Sequence, residues 1–328
     1  MRNITYEGPS TPLSEELDAM KYRQKGETFD GKVKRLARSL CDGTEHQWIL
    51  EDIFGNMRFL PAGRVQSAMG ADKLVTAYNC FVSGEIKDSM DSIMDRAKEA
   101  AETIGYDFSK VRPKGNTIKS LESQASGPIS FMSIFDAVCQ TISSSGHRRG
   151  AQMGVLRIDH PDIVDFITAK RNSDKLTGFN ISLGITDKFM EALSKEDDSF
   201  DLIFEGIVHE TVSANEIWNL AMESTWDWAE PGVLFIDRIK EMNNLYYCED
   251  ISATNPCGEQ PLPPYGACLL GSFNLTKYLI GDTGNYTFNF EQFKEDIPHV
   301  VRAQDNVVDR TIYPLREQED EAKNKRRM

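Results

Sequence analysis

The sequence contains no long apolar run. Its first residues, MRNITYEGPSTPLSEELDAMKYRQKGE, lack the hydrophobic core of a signal peptide, and no later stretch approaches the roughly 20 apolar residues that span a bilayer. These absences predict a cytoplasmic protein that makes no membrane contact.

Positive charge is also scarce, because 37 Lys and Arg residues stand against 51 Asp and Glu residues and leave a formal net charge of -14. A chain this acidic repels polyanions, which argues against direct nucleic-acid binding and against binding to anionic membrane surfaces. A small anionic ligand needs only a local group of basic residues. The length of 328 residues, 40% of them hydrophobic, suits one large domain or a small domain beside a larger one.

The six cysteines include no CxxC pair. Cys257 and Cys268 lie eleven positions apart, which matches none of the usual zinc-ligand spacings, so no metal site is predicted. In a cytosolic chain, scattered cysteines favour reduced thiols or a catalytic disulfide over a structural framework. Cys41 and Cys139 are interpreted as small buried hydrophobic residues.

Two kinds of periodicity divide the chain. The stretches PLSEELDAMKYRQKGETF and GKVKRLARSLCDGTEHQWILEDIFGNM carry apolar residues at three- and four-residue spacing, which predicts a helical region over roughly the first 60 residues. From about residue 75, short β-branched runs such as TAYNCFVSG and FNISLGI alternate with amphipathic helical patterns such as TDKFMEALSK. This alternation predicts an α/β domain with parallel strands.

The segment ATNPCGEQPLPPYGACLLGSFNL, residues 253–275, holds four prolines and must therefore run as a shaped loop. If its start is extended, Asn255, Cys257 and Glu259 point the same way and present an amide, a thiol and a carboxylate to one ligand. A cysteine hydrolase would need a positioned histidine, and this stretch contains none. Radical chemistry has no such requirement, since it uses a shielded thiol, a carboxylate and a nearby source of reducing equivalents.

Two further loops, SKVRPKGNTIKSLESQASGPIS and SSSGHRRGAQMG, combine glycine and serine with basic residues. Lys114, Lys119, Arg148 and Arg149 supply the charge that phosphate binding requires, although each loop also reads as a solvated surface connection. His160, in RIDHPDI, is expected to cap or pack near the helix that begins at PDIVDFITAKR rather than to bind a metal.

Several motifs together resemble the ribonucleotide reductases. RFLPAGRVQSAMG, YNCFVSG, FSKVRPKGN, ASGPISFM, RRGAQMGVLRIDHPDIVDFITAKR, FNISLGITDKFMEAL, PGVLFIDRI and the 253–275 loop occur in that family's order. The eleven-residue gap from Cys257 to Cys268 is similar to the adenosylcobalamin-dependent class II enzymes, since class I catalytic subunits space these cysteines more widely. The resemblance implies a helical domain at 1–60, the first half of a ten-stranded α/β barrel at 61–328, and an inserted active-site finger loop at 253–275.

For the chemistry, the resemblance implies a radical that starts at adenosylcobalamin and passes to Cys257, whose thiyl then abstracts the ribose 3′ hydrogen. Glu259 would accept the 3′-hydroxyl proton, and Asn255 would bind the substrate hydroxyls. Cys80 and Cys268 would supply two electrons, close to a disulfide and be re-reduced by a thioredoxin-like dithiol. Ser67, Asn79 and Gly258 are weaker candidates for binding the ribonucleotide.

For regulation, the resemblance makes VRPKGNTIK the first specificity loop at a homodimer interface, where a deoxynucleoside triphosphate effector binds on the helical face. Asp88 and Ser89 would lie near the effector base and sugar, with Lys114 on the loop. SGHRRGAQM would be the second specificity loop, in which Arg148, Arg149 and Gln152 would pass information from the bound effector to the substrate base.

The sequence departs from the family pattern in two places. AAETIGYDF lacks the glycine run that often precedes the first specificity loop, and SLESQ stands where many relatives have glycines. A DxHxxG cobalamin motif is absent, and class II reductases do not use one.

The family's second half-barrel, with its substrate-phosphate loop, is expected to be absent from these residues, since Met328 falls in the middle of the catalytic domain. A half-barrel exposes an unpaired strand edge, so a complementing C-terminal reductase fragment is predicted as a partner. Two alternatives remain: a class I large-subunit fragment driven by a separate radical-generating subunit, and a nucleotide-binding regulatory fragment without turnover.

Overall fold

The computed structural model describes residues 6–72, 74–99, 104–118, 122–141, 151–171 and 175–328. The described chain divides into two compact units. The first is built from residues 1–79 and 267–328, and the second from residues 80–266. Within the described residues, none of the helices combines the length and apolar character needed to cross a bilayer.

The helices in chain order are α1 (Pro12–Lys21), α2 (Phe29–Leu40), α3 (Thr44–Gly55), α4 (Gly63–Ala68), α5 (Met90–Lys98), α6 (Pro128–Thr141), α7 (Ile163–Thr168), α8 (Asp187–Leu193), α9 (Ala214–Trp228), α10 (Ile236–Glu241), α11 (Phe290–Arg310) and α12 (Arg316–Lys325). A short 3₁₀ helix occupies Leu275–Tyr278.

The strands in chain order are β1 (Phe59–Pro61), β2 (Cys80–Val82), β3 (Ile104–Asp107), β4 (Thr117–Ile118), β5 (Ser123–Gln124), β6 (Gln152–Arg157), β7 (Phe179–Ile185), β8 (Ser199–Phe204), β9 (Ile207–Ser213), β10 (Gly232–Phe235), β11 (Ala253–Thr254), β12 (Pro261–Leu262), β13 (Ala267–Cys268), β14 (Gly271–Phe273), β15 (Leu279–Ile280) and β16 (Thr287–Phe288).

The first unit is mainly helical. Helix α2 starts at a Thr28 cap, whose side chain accepts from the Gly31 amide, and buries one face at three- and four-residue spacing. That face packs against α3, and α11 packs against both helices. Strand β1 pairs antiparallel with β14. The first unit therefore contains both the predicted helical region and residues 267–328. The predicted helical domain ends at residue 60 and does not include this second segment.

The second unit is an α/β structure, as the sequence predicts. Five of its strands run in the order β10-β7-β6-β3-β2, and each neighbouring pair is parallel. Strands β6 and β7 are buried along almost their whole length, which explains their near-continuous apolar sequences, since helices cover parallel sheets on both faces. The predicted strands in YNCFVSG and FNISLGI correspond to β2 and β7, and TDKFMEALSK contains α8.

A short hairpin stem lies across this sheet. Strand β11 pairs antiparallel with β12, with Ala253 opposite Leu262 and Thr254 opposite Pro261, and β11 contacts β3 and β6. At Gly105 on β3, an added Cβ would lie 1.7 Å from the Thr254 carbonyl oxygen. The absence of a side chain at Gly105 therefore lets the stem approach the sheet and carry residues 255–260 to a fixed place.

Candidate active site

Residues 255–258, with the sequence Asn-Pro-Cys-Gly, form a tight turn at the tip of the β11–β12 stem. The Gly258 amide donates to the Asn255 carbonyl at 3.0 Å, which closes a four-residue β-turn. Asparagine at the first position, proline at the second and glycine at the fourth are the residues that a type I turn favours. Cys257 has a negative φ, as the third residue of that turn type does, while Gly258 has a φ of +84°.

Asn255 fixes the loop from inside. Its backbone amide donates to the Gln260 carbonyl at 3.2 Å, and its side-chain Oδ1 accepts from the Gln260 amide at 2.9 Å. The residue is completely buried, and its Nδ2 has no hydrogen-bond partner within the part of the chain that the structure describes. A buried amide donor without a partner is costly, so Nδ2 is suited to a ligand acceptor.

The turn presents Cys257 and Glu259 to solvent, and both side chains are exposed, so the described residues do not give the thiol the shielding that was expected. We expected Asn255, Cys257 and Glu259 to share one face of an extended segment. That expectation is wrong, because residues 255–258 form a turn. Asn255 is buried, whereas the thiol and the carboxylate are on the surface. The three groups still belong to one six-residue loop, with the thiol at the tip of its turn.

A second amide holds the turn from the sheet. Asn180, near the start of β7, donates from Nδ2 to the Pro256 carbonyl at 2.7 Å. Met153 on β6 is paired with Asn180 in the strand register, and its Cε lies 3.8 Å from the position of an added Cβ at Gly258. Sequence patterns gave no prediction for Asn180. The only feature that could have drawn attention to it is a polar residue within an otherwise largely apolar strand.

The other predicted cysteines are buried. Cys80 begins β2 in the second unit and is 3% exposed, while Cys268 ends β13 in the first unit and is fully buried. Cys139 is buried as expected, and Cys41 is half-buried. Among the described residues, no group of three or more His, Cys, Asp or Glu side chains is arranged to hold a metal ion.

The weaker substrate-binding candidates lie in both units. Ser67 is half-buried on α4, and its hydroxyl donates to the Arg64 carbonyl at 3.2 Å. Asn79 has a buried Oδ1 that finds no partner among the described residues, so it resembles Asn255 in offering an unused polar atom. Gly258 contributes the positive-φ position that ends the turn.

The first basic loop has a defined geometry. Asp88 accepts from Arg112 Nε at 2.7 Å and from the Arg112 amide at 3.3 Å, so the acidic residue and the loop meet. Ser89 caps α5 by accepting from the Ser92 amide. Lys114 is exposed, with Nζ 3.7 Å from Asp165. Arg112 belongs to the quoted VRPKGN motif but was not among the predicted effector ligands.

Two residues after β6 clamp the same loop. His160 is buried, and its Nε2 lies 2.9 Å from the Val111 carbonyl, while its Nδ1 accepts from the Asp162 amide at 3.0 Å. Asp162 Oδ2 accepts from the Lys114 amide at 2.9 Å. Burial lowers the pKa of His160 and raises the pKa of Asp162. The expectation that His160 caps or packs at this helix agrees with these contacts.

The second basic loop is only partly described. Lys119, Arg148 and Arg149 lie outside the described residues. Gln152, which follows that loop and begins β6, is fully buried, with Nε2 3.4 Å from the Phe135 carbonyl.

Comparison with known proteins identifies the family. The family model "Ribonucleotide reductase, barrel domain" matches residues 78–328, which is more than half of the chain. The chain belongs to the ribonucleotide reductase family. It is 37% identical over 274 residues to the vitamin B12-dependent ribonucleoside-diphosphate reductase of Thermoplasma acidophilum, a match covering 81% of this chain. It is 35% identical over 317 residues to the enzyme of that name from Mycobacterium tuberculosis, with 92% of this chain covered.

A more distant reductase also matches. The ribonucleoside-diphosphate reductase subunit alpha of Chlamydia trachomatis is 24% identical over 326 residues, covering 86% of this chain. The matches span only 35% of the Thermoplasma protein and 45% of the Mycobacterium protein. This ribonucleotide reductase chain therefore corresponds to less than half the length of those two relatives, and its parallel sheet lies within the residues that match the barrel-domain model.

Proposed function

We propose that this chain carries the radical-forming half of an adenosylcobalamin-dependent ribonucleotide reductase, which converts ribonucleotides to deoxyribonucleotides. The observation that carries the proposal is the loop at 255–260: an exposed Cys257 thiol at the apex of a braced turn, beside a buried Asn255 amide that lacks a partner. The B12-dependent names of the two relatives described above support the choice of cofactor.

The residues fit that cofactor, because hydrogen-atom transfer requires contact and Cys257 is exposed where a large group can approach it. Bound adenosylcobalamin would supply a carbon-centred radical through homolysis of its cobalt–carbon bond. Cys257 would donate the hydrogen atom of its thiol and then, as a thiyl, take the 3′ hydrogen of the ribose. The rigid turn matters because such transfers depend steeply on the placement of the reacting atoms.

The remaining loop residues would handle protons and hydroxyls. Glu259 would accept the proton of the 3′-hydroxyl, and Asn255 Nδ2 would donate to a substrate hydroxyl. The 2′-hydroxyl would leave as water. Cys80 and Cys268 would supply the two electrons and two protons and become a disulfide, and Cys257 would return the hydrogen atom to C3′. A thioredoxin-like dithiol would then reduce the disulfide again. Ser67, Asn79 and Gly258 are proposed as further substrate contacts, and the finger-loop assignment for residues 253–275 is part of the same proposal.

We also propose an effector site for a deoxynucleoside triphosphate at the first basic loop. Asp88 and Ser89 would bind the sugar and base, while Arg112 and Lys114 would face the phosphates; the Asp88–Arg112 contact supports placing these groups together. Lys119, Arg148, Arg149 and Gln152 complete the proposed set, and the helical face around α5 is the proposed homodimer surface.

The test uses the complete reductase, meaning the residues of this chain together with the remainder of its relatives' length, whether on one polypeptide or on two. It is assayed with adenosylcobalamin, a dithiol and either ribonucleoside diphosphates or triphosphates. Cys257→Ser should abolish deoxyribonucleotide formation, since a hydroxyl does not form the required radical, whereas Cys248→Ser at an exposed position should retain it. Undiminished turnover by Cys257→Ser would disprove the proposed chemistry.

The same assay separates the alternatives. Turnover that does not depend on cobalamin and requires a radical-generating subunit would identify a class I large subunit. The distant match to the Chlamydia alpha subunit is the observation that favours testing this alternative. Binding of a deoxynucleoside triphosphate without any turnover in the complete assembly would identify a regulatory protein.

A further inference from the structure

The direction of the Cys257 thiol depends on one peptide group. In a β-turn, the peptide between the second and third residues distinguishes type I from type II, because its rotation reverses the second residue's carbonyl and moves the third residue's φ from negative to positive. Here that peptide joins Pro256 to Cys257. Rotating it would swing the Cα–Cβ bond of Cys257, and with it the thiol.

The hydrogen bond that closes the turn does not prevent this rotation. It joins the Gly258 amide to the Asn255 carbonyl, and both turn types retain it. The bonds between Asn255 and Gln260 brace the two ends of the loop and likewise leave the Pro256–Cys257 peptide untouched. Another contact must therefore hold the carbonyl of Pro256.

Asn180 makes that contact. Its Nδ2 donates to the Pro256 carbonyl at 2.7 Å, a short hydrogen bond, and Asn180 lies on β7, which pairs with β6 and β10 within the parallel sheet. A donor fixed on a rigid sheet is well suited to holding a loop peptide in one orientation. Met153, beside Asn180 in the register, also lies near Gly258, with its Cε 3.8 Å from the position of an added Cβ.

We propose that Asn180 is a positioning residue for the reductase reaction: it locks the Pro256–Cys257 peptide in the type I orientation and so aims the Cys257 thiol. This inference rests on the proposed function, in which Cys257 carries the radical. Asn180 itself need not touch the substrate or the cofactor, since it acts through the main chain of the turn.

The decisive variants are Asn180→Asp and Asn180→Ala in the complete reductase. Asp has the shape of Asn, but its carboxylate has no donor and repels the Pro256 carbonyl, so kcat should fall at least about tenfold at neutral pH with KM for the ribonucleotide unchanged. As the pH is lowered, the Asp carboxyl gains a proton that it can donate, so kcat relative to wild type should recover. For Asn180→Ala, kcat relative to wild type should stay low at every pH, because alanine has no group that can donate.

The matched control is Asn285→Asp, the same chemical change at an exposed position in the first unit, which should leave kcat and its pH profile as in wild type. The thermal midpoint of Asn180→Asp should equal that of wild type, because the role is local. The inference would be overturned if Asn180→Ala had the kcat of wild type. It would also be overturned if kcat of Asn180→Asp changed with pH in the same way as kcat of wild type.

Crystal structures of the wild-type and Asn180→Ala chains provide the second readout, which needs no catalysis. The variant should show the Pro256 carbonyl reversed or in two orientations, and a carbonyl unmoved in the variant would again overturn the inference. If the wild-type assembly lacks cobalamin-dependent turnover, the proposed function fails, while the crystal structures still decide whether Asn180 holds the turn.

Discussion

At the scale of single residues, the candidate site depends on a few positions where one atom more or less changes the geometry. Gly105 is the sharpest case, because the carbonyl oxygen of Thr254 occupies the space where a Cβ would be. The obstacle is backbone rather than the end of a flexible side chain. Strand β3 or the β11–β12 stem must therefore move if residue 105 carries any side chain.

Gly105→Ala should lower the free energy of unfolding by about 1–3 kcal/mol, the usual cost of inserting a methyl group into a packed site. It should also reduce kcat of the complete reductase, since the displaced stem carries Cys257. Urea unfolding and steady-state kinetics measure the two effects.

Gly184→Ala, on β7 of the same sheet, is the matched control, because its nearest neighbours lie 3.5 Å or more from an added Cβ. Its unfolding and kinetics should stay close to those of wild type. Equal effects of the two substitutions would mean that the close approach at Thr254 has no special importance.

At the scale of elements, the turn from Val111 to Lys114 is held by the connection between β6 and α7. His160 and Asp162 engage the carbonyl at its start and the amide at its end. Because His160 Nδ1 accepts from the Asp162 amide, the ring must be neutral and must donate from Nε2 to Val111. A protonated ring would lose this acceptor.

The pH dependence of stability follows from that protonation state. Burial lowers the pKa of His160 in the folded chain below its ordinary value of about 6.5, so the unfolded chain binds the proton more readily. The contribution of the neutral ring is fully present above pH 6.5 and is lost as the pH falls below it through the folded pKa. Urea unfolding at a series of pH values should therefore show stability declining below pH 6.5.

His160→Gln isolates this effect, because Gln keeps a donor for the Val111 carbonyl and does not titrate. The variant should lack the part of the acid-induced decline that belongs to His160, so the stability difference from wild type should shrink as the pH falls from 7 to 5. Asp162 has a raised pKa that the charge of His160 lowers, so both proteins are compared in an Asp162→Asn background, in which residue 162 does not titrate. A difference that does not change with pH would contradict the assignment.

At the scale of the whole molecule, the first unit joins segments far apart in sequence. Asp296 on α11 is 2% exposed and accepts from Arg58 Nε at 2.7 Å, from the Tyr278 hydroxyl at 2.8 Å and from Gln292 Nε2 at 3.0 Å. Arg58 lies between α3 and β1, so this buried carboxylate ties residues 267–328 to the helical region near the start of the chain.

Asp296→Ala should destabilise the first unit by about 3 kcal/mol, because it leaves the largely buried Arg58 guanidinium without one of its two carboxylate partners. Hydrogen-exchange mass spectrometry should show faster exchange in peptides of α2, α3 and α11 than in those of the parallel sheet. Asp95→Ala, which removes an exposed ion pair with Lys98, should leave exchange unchanged. Uniformly faster exchange in both units would mean that they unfold together.

Much of the second unit was predictable from sequence, because buried parallel strands and amphipathic helices have different periodicities. The strands at YNCFVSG and FNISLGI and the helix at TDKFMEALSK were placed correctly. The turn at 255–258 was not, since proline and glycine signal an irregular loop without specifying which of its residues face outward. The extended reading therefore treated Asn255 as an outward-facing residue, whereas the structure buries it.

The sequence by itself determined the α/β class, the family and the identity of the candidate chemical groups, since all three depend on residue types and their order along the chain. Only the tertiary structure decided that Asn255 is buried with an unused donor, that Asn180 reaches the Pro256 carbonyl, and that His160 holds the loop at Val111. Each of these contacts joins segments whose separation in space is set by the packing of strands and helices. Local sequence patterns encode periodicity and turn preference, and they carry no direct information about such distances.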